Sequence, residues 1–248
     1  MAQRNIRLTL AYEGTRYHGW QRQVGQISIQ EVLEQAASKI VCHEVRVIGA
    51  GRTDSGVHAL GQVCNFAIHS PIPVQDLRKG LNSLLPEDIR VLLAEEVPCH
   101  FHSRYHAKRK IYVYRILNAQ EPDIFARRYE WHIPVALETK AMAQCLSIVK
   151  GTHDFSAFRS SGSSNRNPVR TVFRAEIAHG TNPSRILMLY EADGFLRHMV
   201  RNIVGTVVAV GLGKIKVQDF RRILESRDRK RAGMKAPSKG LFLVKVLY

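Results

Sequence analysis

The feature that most constrains how this chain folds is an order of predicted elements that occurs twice. In the first half, an alternating apolar segment predicts a strand, and helically spaced apolar residues after Ser28 predict a helix. Glu31 follows Ser28 by three residues, which is the signature of a capped helix start. Further strands are predicted near 45–50, 62–69 and 89–97, with a short helix near 74–84 and the first strand at 5–12. This β-α-β-β-α-β order is typical of a ferredoxin-like unit.

The second half repeats the order of elements without repeating the sequence. Strands are predicted at 109–117, 171–178, 185–193 and 241–248, and helices at 136–150, 195–210 and 217–226. Gly151 is expected to end the first of these helices, and HGTNPS (179–184) to turn the hairpin. We therefore expect an α/β (α+β) chain of two tandem ferredoxin-like units, 1–104 and 105–248. We expect them to share a mostly antiparallel sheet with helices on one face and a cleft between the halves.

The charge of the chain indicates its partner. The 248 residues include 37 Lys and Arg against 21 Asp and Glu, a formal net charge of +16. An excess of this size attracts polyanions over long range. The basic residues also cluster, at Arg104 and 108–110, at Arg159, Arg166, Arg170 and Arg174, and in RDRKRAGMK (227–235). This pattern favours a surface that follows nucleic-acid phosphates over an ordinary solvated surface.

The sequence argues against a membrane or secreted protein. The longest apolar run, 203–213, is shorter than the ~20 residues that a bilayer span requires. The N-terminal segment has no apolar core of a secretory signal. The four cysteines are far apart and form no CxxC pair, so neither a disulfide framework nor a zinc site is indicated. We expect a soluble cytoplasmic protein.

The stretch GAGRTDSGVHALGQV (49–63) is the candidate reactive loop. It does not match a dinucleotide-binding loop, because Asp54 stands where a glycine is needed and a strand follows. The chain has no Gly-Lys-Ser/Thr, so a Walker phosphate loop is excluded as well. The serine-protease motifs are missing around DSG (54–56), and a metal nuclease needs several converging carboxylates. Two interpretations stay open from the residues. Asp54 is an ionised nucleophile beside Arg52, or it caps the turn while Arg52 is a surface charge.

The loop and several other blocks resemble one family in family order. They are YEGTRYHGWQRQ (12–23), LNSLLPEDI (81–89), FHSRYHAKRKIYVYRI (101–116), GTHDFSAFR (151–159), FLRHMVRNIVG (195–205) and KGLFLVKVLY (239–248). Together with AGRTDSGVHALGQV they are similar to the bacterial tRNA pseudouridine synthase A family, over effectively the whole chain. The resemblance implies an isomerase that converts uridine to pseudouridine at positions 38, 39 and 40 of the tRNA anticodon stem-loop.

The resemblance also implies the site and the partners. Asp54 matches the catalytic aspartate, and the cleft between the halves becomes the catalytic cleft. Tyr112 matches a substrate-binding tyrosine that packs on the target base. Arg201 matches the arginine that pairs with the catalytic aspartate. Arg52 matches a basic residue that helps displace the target nucleotide. The enzyme is expected to be a homodimer that needs no cofactor and no metal. Attack of the aspartate at C1′, attack at C6 and a glycal route all stay open.

Other interpretations of these residues and of the function stay open at this point. Tyr112 shares a strand face with Tyr114 and fits a sheet core, and Arg201 with Arg197 fits a pair of surface arginines. The three histidines near these blocks, His58, His102 and His198, are given no role. The rival functions are a metal-dependent nuclease and a non-catalytic RNA-binding module of twinned ferredoxin-like units. The strand KRKIYVYRI lacks the Gly-Phe core of RNA-recognition sheets.

Overall fold

The fold is taken from a computed structural model that describes residues 3–162, 167–179 and 182–248. In these ranges the strands are β1 (Arg4–Tyr12), β2 (Ile48–Gly49), β3 (His58–Ile68), β4 (Ile89–Val97), β5 (Arg109–Asn118), β6 (Trp131–Ile133), β7 (Gly151–Asp154), β8 (Val169–His179), β9 (Arg185–Ala192) and β10 (Leu241–Leu247). The helices are α1 (Ile29–Val41), α2 (Val74–Leu84), α3 (Thr139–Val149), α4 (Met199–Gly211) and α5 (Val217–Ser226). The expected α+β class with mostly antiparallel strands is confirmed.

The chain groups into two compact units. Unit 1 comprises Met1–Lys108 together with Phe242–Tyr248, and unit 2 comprises Arg109–Leu241. The C-terminal strand therefore belongs with the first unit. None of the helices in the described ranges combines the length and the hydropathy needed to cross a membrane.

Unit 1 has the predicted β-α-β-β-α-β order in β1 to β4. Its strands lie in the order β4-β1-β3-β10, and β2 pairs with β3. β1 is antiparallel to β3 and β4, while β10 runs parallel to β3 and places Phe242 beside His58. Alternate residues of β1, Ile6, Leu8 and Leu10, are fully buried. Burying each such side chain contributes about 1.5–3 kcal/mol, which accounts for the alternating pattern.

Helix α1 begins where the sequence predicts. The Ser28 side-chain oxygen accepts a hydrogen bond from the Glu31 backbone N–H at 3.3 Å. This satisfies one of the N–H groups that a helix start leaves without an intrahelical partner. The helix buries Leu33 and Ala37 and contacts α2, which in turn packs on β4.

Unit 2 adds elements that the sequence does not predict. Strands β5, β9, β8 and β7 lie in that order and are antiparallel, and β6 pairs with β5 in parallel. The short strands β6 and β7 are additions to the predicted pattern. Helix α3 packs on β8 and also contacts α4 and α5. Of the predicted hairpin turn, residues 180 and 181 lie outside the described residues.

Several element predictions are wrong in their bounds. The strand predicted at 62–69 begins earlier and spans His58–Ile68. The strand predicted at 45–50 reduces to Ile48–Gly49, because the N–H groups of Val45 and Val47 donate to side chains of α1 instead of a strand ladder. The helix predicted from 195 begins at Met199, because His198 has a left-handed backbone with a φ of 62°. The helix predicted at 136–150 ends at Val149, and Gly151 opens β7 rather than capping that helix.

Candidate active site

Asp54 lies at the first position of a tight turn that leads into β3. The Val57 N–H donates to the Asp54 carbonyl oxygen at 3.1 Å. Gly56 has a φ of +74°, and Ser55 before it has a negative φ. This is the geometry of a type II turn, which requires a residue that tolerates positive φ at its third position. The glycine of the DSG triplet therefore sets the turn that presents the half-buried Asp54.

A second segment, residues 14–20, supports this turn through backbone hydrogen bonds. The Trp20 N–H donates to the Thr53 carbonyl at 3.0 Å, and the Gly56 N–H donates to the Tyr17 carbonyl at 3.3 Å. Gly19 has a φ of +87°, and a Cβ added there would lie 2.4 Å from the Thr53 carbonyl oxygen. Only glycine allows so close an approach between the two backbones. The block YEGTRYHGWQRQ is therefore the support of the Asp54 loop.

Buried side-chain hydrogen bonds fix the loop from within unit 1. The Thr53 and Tyr12 hydroxyls are 2.9 Å apart and hydrogen-bonded. The Gln62 amide nitrogen donates to the Gly51 carbonyl at 2.9 Å and to the Tyr12 hydroxyl at 3.4 Å. Burial raises the pKa of Tyr12, so its hydroxyl stays protonated. The residues just before Asp54 are thus held by groups from β1 and β3.

An irregularity in β1 lies beside this network. Opposite β3, Leu10 pairs with Gln62 and Tyr12 pairs with Ala59, so the register shifts between Leu10 and Tyr12. Such irregularities redirect side chains and are frequent next to active sites. Here the shift lies in the strand that delivers the Tyr12 hydroxyl to Thr53.

The start of the supporting segment is held by Asp88. The Tyr17 hydroxyl donates to one Asp88 carboxylate oxygen at 2.5 Å, and the Arg16 Nε donates to the other at 2.7 Å. Burial and the adjacent Asp88 carboxylate raise the pKa of Tyr17 to about 12. Asp88 belongs to the block LNSLLPEDI, so two of the blocks quoted above meet in this contact.

His58 has a structural position behind the loop. It is buried, and its Nδ1 accepts a hydrogen bond from the Gly14 N–H at 3.0 Å. Its ring stacks on that of Phe242 with centroids 4.7 Å apart. His102 also accepts backbone hydrogen bonds, from Arg104 and Tyr105. These contacts agree with leaving both histidines without a catalytic role.

Two predicted site residues share the loop, and two lie in unit 2. Arg52 is exposed two residues before the half-buried Asp54. Tyr112 is buried on β5, and its ring meets that of Phe195 edge-on at 5.0 Å between centroids. Tyr114 is buried on the same face of β5, as the strand alternation predicts. The predicted pairing of Arg201 with Asp54 joins the two units and stays a prediction.

Arg201 is not a surface arginine. It lies on α4 with 8% of its surface exposed, and its Nε donates to the Ala236 carbonyl at 2.8 Å. Burial raises the pKa of Tyr114, and the Arg201 charge acts in the opposite direction. Arg197, which the sequence places on the same helix, precedes the helix and is exposed. The Arg201 guanidinium therefore lies in a buried environment, where electrostatic interactions are stronger than in water.

The sequence misses the residues that hold the loop. Tyr12, Tyr17 and Gln62 carry no chemistry of their own, and their partners are distant in the sequence. The one available signal is the glycine content of residues 14–19, which marks a close backbone approach. In the described parts of the chain, no group of three or more His, Cys, Asp or Glu is placed to hold a metal ion. That the enzyme needs no metal stays a prediction.

The fold and the loop, together with the net charge of +16, fit the class of RNA-modifying isomerases called pseudouridine synthases. The sequence profile of the family described as tRNA pseudouridine synthase matches residues 9–106 and 147–248. The tRNA pseudouridine synthase A of Thermoanaerobacter sp. (strain X514) is 49% identical over 99% of this chain and 100% of its own length. Those of Acetivibrio thermocellus and Thermodesulfovibrio yellowstonii are 45% and 42% identical over nearly the whole of both chains. The chain belongs to the tRNA pseudouridine synthase family and is an isomerase.

Proposed function

We propose that this isomerase converts uridine to pseudouridine at positions 38, 39 and 40 of the tRNA anticodon stem-loop, with Asp54 as the nucleophile. The reaction breaks the N1–C1′ bond and forms a C5–C1′ bond. The hydrogen at C5 is lost to water and N1 gains a proton, so the product is an isomer of the substrate. Such a reaction consumes no oxidant and transfers no group. The protein therefore needs a nucleophile, a closed site for the detached base and fixed charges around both.

The observation that carries this proposal is the double support of the Asp54 loop. The backbone of residues 17–20 forms hydrogen bonds with the turn, and a second set joins Thr53 to Tyr12, and Gln62 to Tyr12 and Gly51. A nucleophile held this way needs little rearrangement when the substrate arrives, which lowers the entropic part of the barrier. If Asp54 only capped the turn, the loop would not require two independent sets of buried contacts.

The other site residues take supporting roles in this proposal. The target nucleotide must leave its stack before it reacts, at a cost of a few kcal/mol. The exposed Arg52 is suited to contact the displaced strand. The ring of Tyr112 offers a flat surface for the extruded base, since stacking on an aromatic contributes about 1–3 kcal/mol per base. Arg201 supplies the positive charge that pairs with the Asp54 carboxylate.

The names of the relatives and the charge of the chain support tRNA as the substrate. The active species in this proposal is a homodimer, and its location is the cytoplasm. A homodimer gives twice the chain mass in sedimentation equilibrium when it is alone, and the mass of two chains plus the bound RNA when tRNA is present. Cell fractionation tests the location. A monomer with full activity would contradict the assembly without affecting the assignment of Asp54.

The experiment uses tRNA transcripts labelled with tritium at uracil C5, in EDTA. The native protein is expected to release tritium to water, since C5 loses its hydrogen when it bonds to C1′. Transcripts with a single uridine at position 38, 39 or 40 show which positions are served. Asp54→Asn keeps the size of the side chain and is expected to lower the rate by at least about 10⁴-fold, the scale seen when a nucleophile is lost.

The matched control is Asp76→Asn, which neutralises an exposed carboxylate of α2 in the same unit. It is expected to keep the native rate, and both variants are expected to bind tRNA as the native protein does. Full tritium release by Asp54→Asn would remove the aspartate from the mechanism. Release from a transcript without uridine at 38, 39 and 40 would contradict the proposed positions.

A further inference from the structure

Unit 2 contains a basic pocket that the proposed mechanism does not use. Its volume is about 470 Å³, and its lining residues are Ser156, Arg159, Ser160, Ser161, Arg227 and Arg229. Arg159 belongs to one basic cluster of the sequence, and Arg227 and Arg229 belong to another. The fold therefore gathers two distant clusters around one cavity. Pockets of about 300–1,000 Å³ hold ligands of nucleotide size.

The guanidinium of Arg229 is fixed without a balancing charge. One of its terminal nitrogens donates to the Ala232 and Gly233 carbonyls at 3.3 and 3.1 Å, and the other donates to the Asn202 side-chain oxygen at 3.0 Å. These acceptors are neutral. Within the described ranges, no carboxylate lies within the 4.0 Å ion-pair distance of Arg229. Arg229 is half-buried, and this burial lowers the pKa of its guanidinium.

One carboxylate borders the other two arginines. The Asp154 carboxylate forms an ion pair with the Arg227 Nε at 3.2 Å. Burial raises the pKa of Asp154, but hydrogen bonds from Ser156 and the charges of Arg227 and Arg159 outweigh it, and the net shift is downward. Asp154 is therefore ionised at neutral pH. Asp228 lies beside Arg227 and Arg229 in sequence, and its carboxylate accepts from the Lys230 N–H at 2.9 Å.

The serine wall of the pocket is held in place by its own contacts. The Ser160 N–H donates to the Arg197 carbonyl at 3.1 Å, and the Arg197 side chain donates to the Ser161 carbonyl at 2.9 Å. The Asn202 amide reaches the Ser160 hydroxyl at 3.4 Å. The Ser160 hydroxyl and the guanidinium groups of the pocket are donors of the kind that recognise phosphate oxygens.

We propose that this pocket binds a backbone phosphate of the RNA substrate, as a contact additional to those at the target uridine. The inference rests on the proposed function for the identity of the RNA. Arg229 provides the fixed charge, Arg159 and Arg227 add charge at the rim, and the serines orient the phosphate oxygens. The pocket is open enough for the nucleotide that carries the phosphate.

The test measures the affinity for unmodified tRNA over a series of salt concentrations. Arg159→Gln/Arg227→Gln is expected to weaken binding about three- to tenfold at 0.1 M salt. It is also expected to reduce the slope of log K against log salt by about 0.7–0.9, the contribution of one phosphate. Arg227→Gln alone, at a side chain that is 68% exposed, provides a second variant whose fold is not at risk. It is expected to change the slope in the same direction.

The matched control is Lys214→Gln/Arg221→Gln, which removes two exposed charges of unit 2 outside the pocket. It is expected to keep the native slope. Equal slopes for the pocket variants and the control would overturn the proposal. The isomerase activity of the native protein is measured in parallel, and its absence would refute the proposed function independently of the salt dependence of the pocket variants.

Free phosphate is the other source of the same chemistry. A titration with inorganic phosphate, read by the thermal midpoint, distinguishes the two. If millimolar phosphate stabilises the native protein but not the Arg159→Gln/Arg227→Gln variant, while tRNA binding is unchanged in that variant, the pocket serves a small anion and the RNA proposal fails.

Discussion

At the scale of single residues, two buried tyrosines show how differently one hydroxyl group can be used. The Tyr12 hydroxyl contacts Thr53 and Gln62 in the network behind Asp54. The Tyr190 hydroxyl is buried, and in the described residues it has no hydrogen-bond partner. A buried polar group without a partner costs free energy, whereas the loss of one partner from a network leaves others unsatisfied.

Substituting phenylalanine for each tyrosine is therefore expected to have opposite results. Tyr12→Phe is expected to lower the free energy of unfolding by about 1–2 kcal/mol, since Thr53 and Gln62 lose a partner. It is also expected to slow isomerisation, because the Asp54 loop loses a support. Tyr190→Phe is expected to be neutral or stabilising. Urea unfolding and tritium release measure both, and a Tyr12→Phe protein as stable and as active as the Tyr190→Phe protein would contradict the role given to the network.

The sequence predicts Asp54 but not the residues that fix it. Asp54 stands out because its neighbours are glycines and basic residues and because no second acid lies in the loop. Nothing local distinguishes Gln62 from a polar residue on an exposed strand face, yet it is fully buried. Its role depends on Tyr12 and Gly51, and the meeting of these residues depends on the register of β1 against β3, including the shift at Leu10. Patterns of apolar residues do not fix such a shift.

At the scale of elements, the Asp54 turn and the segment 14–20 behave as one structure. Each is irregular alone, and each supplies the backbone partners of the other. Loops that carry catalytic residues depend on this kind of rigid support. A change in the supporting segment is therefore expected to reach Asp54 without touching the substrate.

Gly19→Ala tests this dependence, and Gly25→Ala is its control. Both glycines have positive φ, +87° and +71°, so both substitutions strain the backbone. The new Cβ at Gly19 meets the Thr53 carbonyl at 2.4 Å, whereas nothing lies within 4 Å of a Cβ at Gly25. Both variants are expected to lose about 1 kcal/mol of stability from the strain, and Gly19→Ala is expected to lose more. Gly19→Ala is also expected to lose at least about tenfold in kcat, since displacement of reacting groups is costly.

If circular dichroism shows that Gly19→Ala is folded and its kcat is unchanged, the Asp54 turn holds its shape without support from residues 14–20. An equal loss of kcat in both variants would point to backbone strain rather than contact with the loop.

Element predictions succeed where apolar periodicity is strong and fail where side chains compete for the backbone. Strand β1 and helices α2 and α5 have the predicted bounds within a residue. The strand predicted at 45–50 is shorter, because Glu34 and Ser38 of α1 take its N–H groups. The start of α4 moves because of the backbone at His198, for which a single sequence has no signal.

At the scale of the whole molecule, buried tyrosines link stability to alkaline pH. Burial raises the pKa of Tyr12, Tyr17, Tyr114, Tyr190 and Tyr248. Above a pH of about 10 the unfolded chain loses phenolic protons that the folded chain keeps. The folded state then binds more protons than the unfolded state, so the free energy of unfolding falls as the pH rises. The stability from Tyr17 is complete below about pH 10 and is lost by its folded pKa of about 12.

The urea midpoint is therefore expected to fall between about pH 10 and pH 12, the window between the ordinary tyrosine pKa and the folded pKa of Tyr17. Tyr17→Phe is expected to show a shallower fall, since one of the five contributing groups is absent. Tyr105→Phe, which removes a hydroxyl from a residue that is 75% exposed, is the control. A midpoint that does not change over this range would refute the linkage.

The position of β10 has a consequence for how the protein is made. Phe242 and His58 are neighbours in one sheet, although all of unit 2 lies between them in the chain. A ribosome releases residues in order, so β3 emerges long before the strand that will lie beside it. Unit 1 begins first and is completed only after unit 2 has been synthesised. Domains of a growing chain ordinarily finish from the N-terminus onward. Here the start of β3, at His58 and Ala59, has no β10 beside it until the end of synthesis. An unpaired strand edge is a template for pairing with other chains, so this edge is exposed to wrong pairing for as long as the chain is being made.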